Sequence, residues 1–493
     1  MTRRRSNELT LAGLDGDTVH PTASEIQDLA ARIEGRVLRE SDAGWDDAVS
    51  VWNAMVTKVP ALVVQPTSAE DVASVVRFAA RKRILIGIKG GGHNIAGTSI
   101  AHGGLQLDMS QMRVVSIDSA AKLAHVGAGC RLGDVDRATQ EHGLATTLGF
   151  VSTTGVAGLT LGGGFGYLMR RFGWAADNLE QVEVVTADGR IRITDRAQDP
   201  DLFWALRGGG GNFGVVTRFT FRLHDVGPTV TGGLIIWSAE HADQVLEAYH
   251  RLTDTAPLEL TVAAMIRLAP PAPFVPLEWH HQPVVGVLVC HSGADPEKDL
   301  APLRALPEPI VDLIEEHPYA VQQSMLDELD PPGRNQYWKT EFLPGLSAPF
   351  LASFRDAALA VASPMSYSVI FHIGGAHNAR AADEGAVGNR DATFVTGFSG
   401  VWPPGEDGDS IVSAVRDGWD RIQPFSTGGN YVNFQLDEDG SERTAAAYGK
   451  NLERLRRIKA AYDPHNFFRV NRNISPAKSE GRRPRTDAEH GRS

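Results

Sequence analysis

Four glycine clusters fall between residues 90 and 214: Gly90-Gly91-Gly92, Gly127-Ala128-Gly129, the stretch 155–166, and the stretch 208–214. Glycine costs conformational entropy on folding, so a cluster needs a reason, either a positive φ or a close approach of backbone. Successive exposed backbone N–H groups form concave anion sites that suit a pyrophosphate. One cluster is most simply a tight turn, whereas four in a single region point to a dinucleotide. Two common solutions fail on detail. Gly162-Gly163-Gly164-Phe165-Gly166 is not G-x-G-x-x-G, and no first-strand fingerprint with a following ribose carboxylate accompanies it. No cluster closes with Gly-Lys-Ser or Gly-Lys-Thr, which removes the P-loop. A dinucleotide must therefore be held by loops of another fold.

The flanking pattern mixes helices and strands. Thr22 and Glu25 form a capping-box signature, followed by Ile26, Leu29, Ile33 and Val37 at helical spacing. Residues 61–64 read as a strand that Pro66 breaks. Thr67 and Glu70 cap a helix bearing Val72, Val75, Val76 and Ala79, and residues 84–88 return as a buried strand. That strand runs straight into Lys89-Gly90-Gly91-Gly92-His93-Asn94. Residues 134–142 read as a helix. Residues 182–185 and 191–193 read as a hairpin around Asp188-Gly189. A terminal helix carries Leu452, Leu455, Ile458 and Tyr462 and stops at Asp463-Pro464. Arg170-Arg171 and the charges of 454–459 read as solvated.

Composition narrows the function classes. A net charge of −12 lacks the basic footprint of a nucleic-acid binder. Cys130 and Cys290 are the two cysteines, too few for a disulfide scaffold or a four-thiolate metal site, and they fit a reducing cytosol. No secretory leader is expected, because polar residues follow Arg3-Arg4-Arg5. No apolar run reaches the roughly 20 residues of a membrane span. The 16 histidines form no H-E-x-x-H, so no catalytic metal is expected, and no G-x-S-x-G elbow supports a hydrolase.

Several segments occur in order: Lys89 to Asn94, Gly149-Phe150-Val151-Ser152-Thr153-Thr154-Gly155-Val156-Ala157-Gly158, Leu161 to Gly166, Asp177-Asn178-Leu179, the stretch 201–216, and Tyr462-Asp463-Pro464-His465-Asn466-Phe467-Phe468-Arg469 with Asn471 and Asn473. Together they resemble the berberine-bridge-enzyme-like branch of the vanillyl-alcohol-oxidase/p-cresol-methylhydroxylase flavoproteins, over about residues 50–475. The resemblance implies an α+β fold. A p-cresol-methylhydroxylase-type FAD-binding domain of two α+β subdomains would join a substrate domain whose antiparallel sheet, flanked by helices, roofs the flavin. The expected division is an N-terminal arm and helix (1–52), the FAD domain (53–226), the substrate domain (227–430), a berberine-bridge-like return to the FAD domain (431–477) and a disordered tail (478–493).

The resemblance further implies FAD tethered through His93. The cofactor-binding residues expected from it are Lys89, Gly90, Gly91, Gly92, Asn94, Gly149, Val151, Ser152, Thr154, Gly155, Gly158, Gly162, Gly163, Gly164, Asn212, Gly214, Val216, Asn471 and Asn473. Many relatives add a cysteinyl bond at the position that is Val151 here, so one covalent link is expected, as in relatives similar to 6-hydroxy-D-nicotine oxidase. Two tyrosines that serve many relatives near the flavin are Phe165 and Phe434 in this chain, and phenylalanine exchanges no proton. Tyr431, Tyr167 and His372 remain as catalytic candidates by position. On one regular strand Tyr367 and His372 would point to opposite faces. Phe165, Phe434, Trp338 and Tyr367 are expected to line an apolar, aromatic substrate pocket.

The function expected is oxidation of a small aromatic or polyketide-like secondary metabolite by hydride transfer to flavin. O2 is the expected acceptor, and the protein is expected to be a cytoplasmic monomer or homodimer without nucleic-acid or membrane partners. Alternatives are an oxygenase working through a flavin N5-oxide (Thr154 stands where relatives control oxygen access), a dehydrogenase with another acceptor, and a catalytically idle flavin-binding protein.

Overall fold

The computed structural model describes residues 9–329, 331–361 and 363–478. The expected tail lies outside the described residues except for Lys478. After a short antiparallel pair, Leu11–Ala12 with Thr18–Val19, comes α1 (Ala23–Ala30), capped reciprocally by Thr22 and Glu25. The helical spacing was expected to continue to Val37, but the helix ends at Ala30 and Val37 belongs to β1 (Arg36–Leu38). The break is enforced at Gly35, where a Cβ would lie 2.1 Å from the Gln65 carbonyl oxygen. The N–H groups of Glu34 and Gly35 go instead to the Asp71 carboxylate, each at 3.0 Å.

β2 (Leu62–Gln65), α2 (Ala69–Lys82) and β3 (Ile86–Lys89) form the expected β-α-β unit, with its cap moved by one residue. Ser68 Oγ accepts the Asp71 N–H, while Thr67 donates to the Asp71 carboxylate. β4 (Leu105–Asp108) inserts between the two strands and runs parallel to both, giving the order β1-β2-β4-β3.

A second sheet contains β5 (Val115–Asp118) and β6 (Leu123–Gly127), followed in the chain by α3 (Leu132–Gln140). The hairpin β7 (Leu179–Val185) and β8 (Ile191–Asp195) and the strand β9 (Val215–Arg222) complete it. Its order is β8-β7-β9-β6-β5, antiparallel throughout. One hydrophobic core joins both sheets to the end of the chain. Val64, Val76, Val126, Phe219, Leu455 and Phe468 are all buried within it.

The third sheet has eight antiparallel strands. They are β10 (Thr229–Ser238), β11 (Leu260–Leu268), β12 (Pro283–His291), β13 (Val311–Asp312), β14 (Glu315–Pro318), β15 (Asn335–Leu343), β16 (Tyr367–His372) and β17 (Phe394–Trp402). They run in the order β13-β10-β12-β11-β16-β17-β15, with β14 also paired to β10. Side chains alternate faces along a strand. On β11, Val262, Ala264 and Ile266 pack under the helices Ala242–Thr255 and Ala348–Ala360. Met265 and Arg267 face the other way, toward the loops of the first two sheets.

Arg170, read from sequence as solvated, is buried. It donates to the carbonyls of Gly374 and Pro257, each at 2.7 Å, so its charge knits the loop after the third cluster to the eight-stranded sheet. Among the described residues no helix is long and apolar enough to cross a membrane.

Candidate active site

The glycine loops meet the concave face of the eight-stranded sheet across a cleft of about 340 Å³, within the range of small-molecule sites. Its floor begins where β3 ends. Gly91 abuts the loop 149–158 so tightly that a Cβ on it would sit 2.5 Å from the Gly155 Cα. This close approach explains both glycines. Asn94 folds the next turn by accepting the N–H groups of Ala96 (3.1 Å) and Thr98 (3.0 Å). Gly149, Val151, Thr154 and Gly158 continue the floor, and Gly214, Val216 and Asn471 supply its far part.

Other residues expected at the cofactor stand behind this surface. Lys89 points away from the cleft and donates to the carbonyl of Ala48 at 2.6 Å, bracing the first loop from below. Ser152 is tied to Asp327 through its N–H (2.7 Å) and its hydroxyl (2.5 Å). Gly162 packs against Asn433, Gly163 against Trp174, and the Gly164 N–H goes to Tyr431. Asn212 joins two chain segments, donating to Gly209 (3.0 Å) and Arg472 (3.1 Å) and accepting from Ile474 (2.9 Å). Asn473 is exposed. None of these seven lines the cleft.

The imidazole of His93 lies in the cleft, stacked on Trp52. Burial, with a smaller push from the Arg131 charge, lowers its pKa to about 4, so the ring is neutral at pH 7. Its Nε2 is buried without a hydrogen-bond partner, as are Ser99 Oγ, Ser399 Oγ, Tyr448 Oη, Asn471 Oδ1 and Arg472 Nε on the same walls. Each such orphan costs about 1–3 kcal/mol. A set of them around glycine backbone fits a long, polar, hydrogen-bonding ligand such as FAD. The residues present match that group.

The roof and one end are aromatic. Phe165 lies 4.9 Å from Tyr431 and 5.8 Å from Phe434 between ring centroids, and Trp338 lies 5.2 Å from Phe434. Tyr367 lines the cleft, whereas His372 on the same strand faces away and stacks on Phe394. Burial pushes the His372 pKa down to about 2. Tyr167 is likewise outside the cleft, packed near Cys290, and burial raises its phenol. Of the three catalytic candidates only Tyr431 borders the cleft. Cys130 is buried under the first loops, its thiol donating to the Val114 carbonyl at 3.5 Å, and burial pushes its pKa up to about 11.

Sequence reasoning missed Trp52, Arg267, Ser399, Tyr448 and Arg472. Arg267 alone carried a legible signal, a single charge in the otherwise apolar run of β11. No group of three or more metal-ligating side chains occurs among the described residues.

The glycine floor, the neutral imidazole and the sheet roof define an FAD-dependent oxidoreductase. A model of the FAD binding domain matches residues 60–195, and a berberine and berberine-like model matches residues 430–475. An FAD-linked oxidoreductase of Dictyostelium discoideum is 30% identical over 461 residues, 92% of this chain and 97% of the relative. The (R)-6-hydroxynicotine oxidase of Paenarthrobacter nicotinovorans is 31% identical over 457 residues, 91% of this chain and 98% of the relative. The crystal structure of 6-hydroxy-D-nicotine oxidase from Arthrobacter nicotinovorans superposes with a TM-score of 0.79 at 27% identity, covering 90% and 98% of the two chains. The chain belongs to the berberine-bridge-like FAD-linked oxidoreductases, of the p-cresol-methylhydroxylase-type fold.

Proposed function

We propose that this protein is an oxidase that holds FAD through one covalent bond to His93 and dehydrogenates a small aromatic substrate, with O2 as final acceptor. The observation that carries the reading is the His93 ring, neutral, stacked and with a partnerless Nε2 among the glycine loops. A neutral imidazole keeps a lone pair for bonding, which a protonated one does not. A second link is not part of the reading, because Val151 has no nucleophile and Cys130 lies beneath the floor.

Bound flavin would supply a two-electron acceptor for a substrate hydride, with O2 as the final acceptor of the pair and the substrate's heteroatom proton going to solvent. The protein binds and orients the donor. Phe165, Phe371, Trp338 and Phe434 line the cleft and would offer ring faces to an aromatic donor and exclude water from it. Phe165 and Phe434 move no proton, which favours phenols or amines, whose own heteroatom assists hydride loss. One relative is named (R)-6-hydroxynicotine oxidase, and that name supports this substrate class.

Acid precipitation tests the tether. Flavin should stay with the precipitated protein and map by peptide mass to His93, and His93→Ala should release it to the supernatant. Full release from the unaltered protein overturns the covalent reading. One hydrogen peroxide per substrate consumed is expected. Its absence during turnover excludes O2 as the two-electron acceptor.

A further inference from the structure

The first sheet ends in a second cavity. Its three parallel strands stop side by side at Gln65 (β2), Asp108 (β4) and Lys89 (β3), and all three residues line a polar hollow of about 300 Å³. Lys89 lies directly opposite Asp108 in the strand register. The carboxyl ends of parallel strands are where ligands bind in α/β sheets, because the diverging loops leave a crevice there. The hollow lies behind the first glycine loop. Gly90 and Gly91 border it on one side and the flavin cleft on the other.

The bottom of the hollow is buried and one of its polar atoms is unsatisfied. Gln65 is 7% exposed, and its Nε2 donates to the Asp108 carboxylate at 2.9 Å. That bond fixes the amide, since turning it over would set its oxygen against the carboxylate. Gln65 Oε1 is left buried without a hydrogen-bond partner. Around the mouth stand exposed Arg36, Arg113, Arg131 and Asp47. Arg113 is held by Asp134 at 2.5 and 2.7 Å. Among the described residues neither Arg36 nor Arg131 forms an ion pair, and neither has an interaction beyond those described. Cations thus outnumber carboxylates four to two on this lining, in a chain of net charge −12.

Free guanidiniums beside a buried, empty acceptor select a particular kind of anion. Guanidinium N–H pairs match the oxygens of a tetrahedral oxyanion. An orphaned carbonyl oxygen needs a proton donor, and the Asp47 carboxylate repels an anion that brings none. Phosphate keeps a proton near neutral pH, whereas sulfate keeps none. We propose that this hollow is a phosphate site, in which Arg36 and Arg131 hold the oxygens of inorganic phosphate or a small phosphate monoester while its P–OH donates to Gln65. The site is separate from the flavin cleft, and the oxidase reading does not depend on it.

Calorimetric titration of the full-length, flavin-loaded protein, with FAD already filling the cleft, tests the proposal with inorganic phosphate, sulfate and glycerol 3-phosphate as probes. Phosphate should bind at a single site with Kd below about 1 mM. Sulfate should bind at least about tenfold more weakly, the scale of one charge-assisted hydrogen bond. Arg131 is exposed, so Arg131→Gln reads the site without disturbing the core. It should weaken phosphate at least about fivefold and leave flavin content unchanged. Gln65→Leu should cut the preference for phosphate over sulfate to less than about threefold. Tighter binding of glycerol 3-phosphate than of phosphate identifies an organic monoester as the natural source, and equal or weaker binding identifies inorganic phosphate. Absence of phosphate binding up to about 10 mM, equal affinity for sulfate, or an affinity that survives Arg131→Gln overturns the proposal.

Discussion

The imidazole of His93 stacks on the indole of Trp52 with ring centroids 4.4 Å apart and planes inclined by 17°. The same tryptophan donates its backbone N–H to the Gly92 carbonyl at 3.0 Å and meets Trp338 edge-on at 5.5 Å. Adjacent Asn53 donates to Ile95 (2.7 Å) and Gln336 (3.0 Å). A segment with no motif of its own therefore sets the orientation of the residue proposed to hold the flavin.

From that stack follows the first prediction. Aromatic stacking contributes about 0.5–1.5 kcal/mol beyond burial, enough to change the share of aligned rings by about two- to tenfold. Trp52→Leu should keep total flavin near normal but lower its acid-stable fraction by at least about half, and Trp52→Phe should restore most of it. The ratio of precipitable to total flavin absorbance reads the effect. An unchanged ratio in Trp52→Leu would show that the stack does not align His93.

Tyr431 supplies the second. Its hydroxyl oxygen accepts the Gly164 N–H at 3.0 Å and the Asn433 amide at 2.8 Å, and burial raises its pKa above the usual phenol value. A phenol engaged in this way braces the third glycine cluster rather than shuttling a proton. Tyr431→Phe leaves the buried Gly164 N–H unpaired, at about 1–3 kcal/mol, and takes from the half-buried Asn433 amide one of its two acceptors, so it should lower Tm by roughly 2–6 °C. kcat should fall less than about tenfold, because loss of a general base costs about 100- to 10,000-fold. A fall in that larger range, with Tm unchanged, would make Tyr431 the base.

Much of the floor was legible in the sequence because glycine reports backbone proximity directly, and Gly91 with Gly155 is the clearest case. The hairpin at Asp188-Gly189 and the stop at Asp463-Pro464 were legible for the same local reason. What stayed hidden was tertiary. Lys459 sits in a charged helical run that reads as solvated, yet it is completely buried, donating to Asn212 of the distant fourth glycine cluster and to Asp463 and Phe468 just beyond its own helix. Tyr167 and His372 were placed near the flavin by position alone, and strand alternation and packing carried them to other faces.

Lys459 carries the third prediction. Its ammonium donates to the carbonyls of Asn212 (2.6 Å) and Phe468 (2.8 Å) and to Asp463 (2.7 Å), stapling the fourth glycine cluster to the end of the chain. Burial lowers its pKa to about 8, which still leaves it mostly charged at pH 7. Lys459→Met strands the buried Asp463 carboxylate, at about 3–5 kcal/mol. Urea unfolding should move to lower concentration, and flavin content should drop with it. Lys459→Met with Asp463→Asn should recover part of the loss, and equal losses in the single and double variants would remove the ion pair from the explanation.

Asp136 links the two halves of the molecule through a carboxyl group that resists ionisation. It projects from α3 into the space below the eight-stranded sheet, where Gln323 donates to it at 3.1 Å, and burial raises its pKa from 3.8 to about 7. An unfolded chain loses this proton near pH 4 and the folded one near pH 7. Between those values the folded state binds more protons, so stability falls as pH rises through the window and levels off above it. At roughly 1.4 kcal/mol per pH unit the penalty approaches about 4 kcal/mol at pH 8. Asn at this position keeps the oxygen that accepts from Gln323 and has no charge to desolvate. Asp136→Asn should therefore raise Tm at pH 8, leave it nearly unchanged at pH 4, and flatten the profile between. Thermal melts across that range decide the matter, and a variant that melts lower at pH 8 would show that the ionised carboxylate is accommodated in the fold after all.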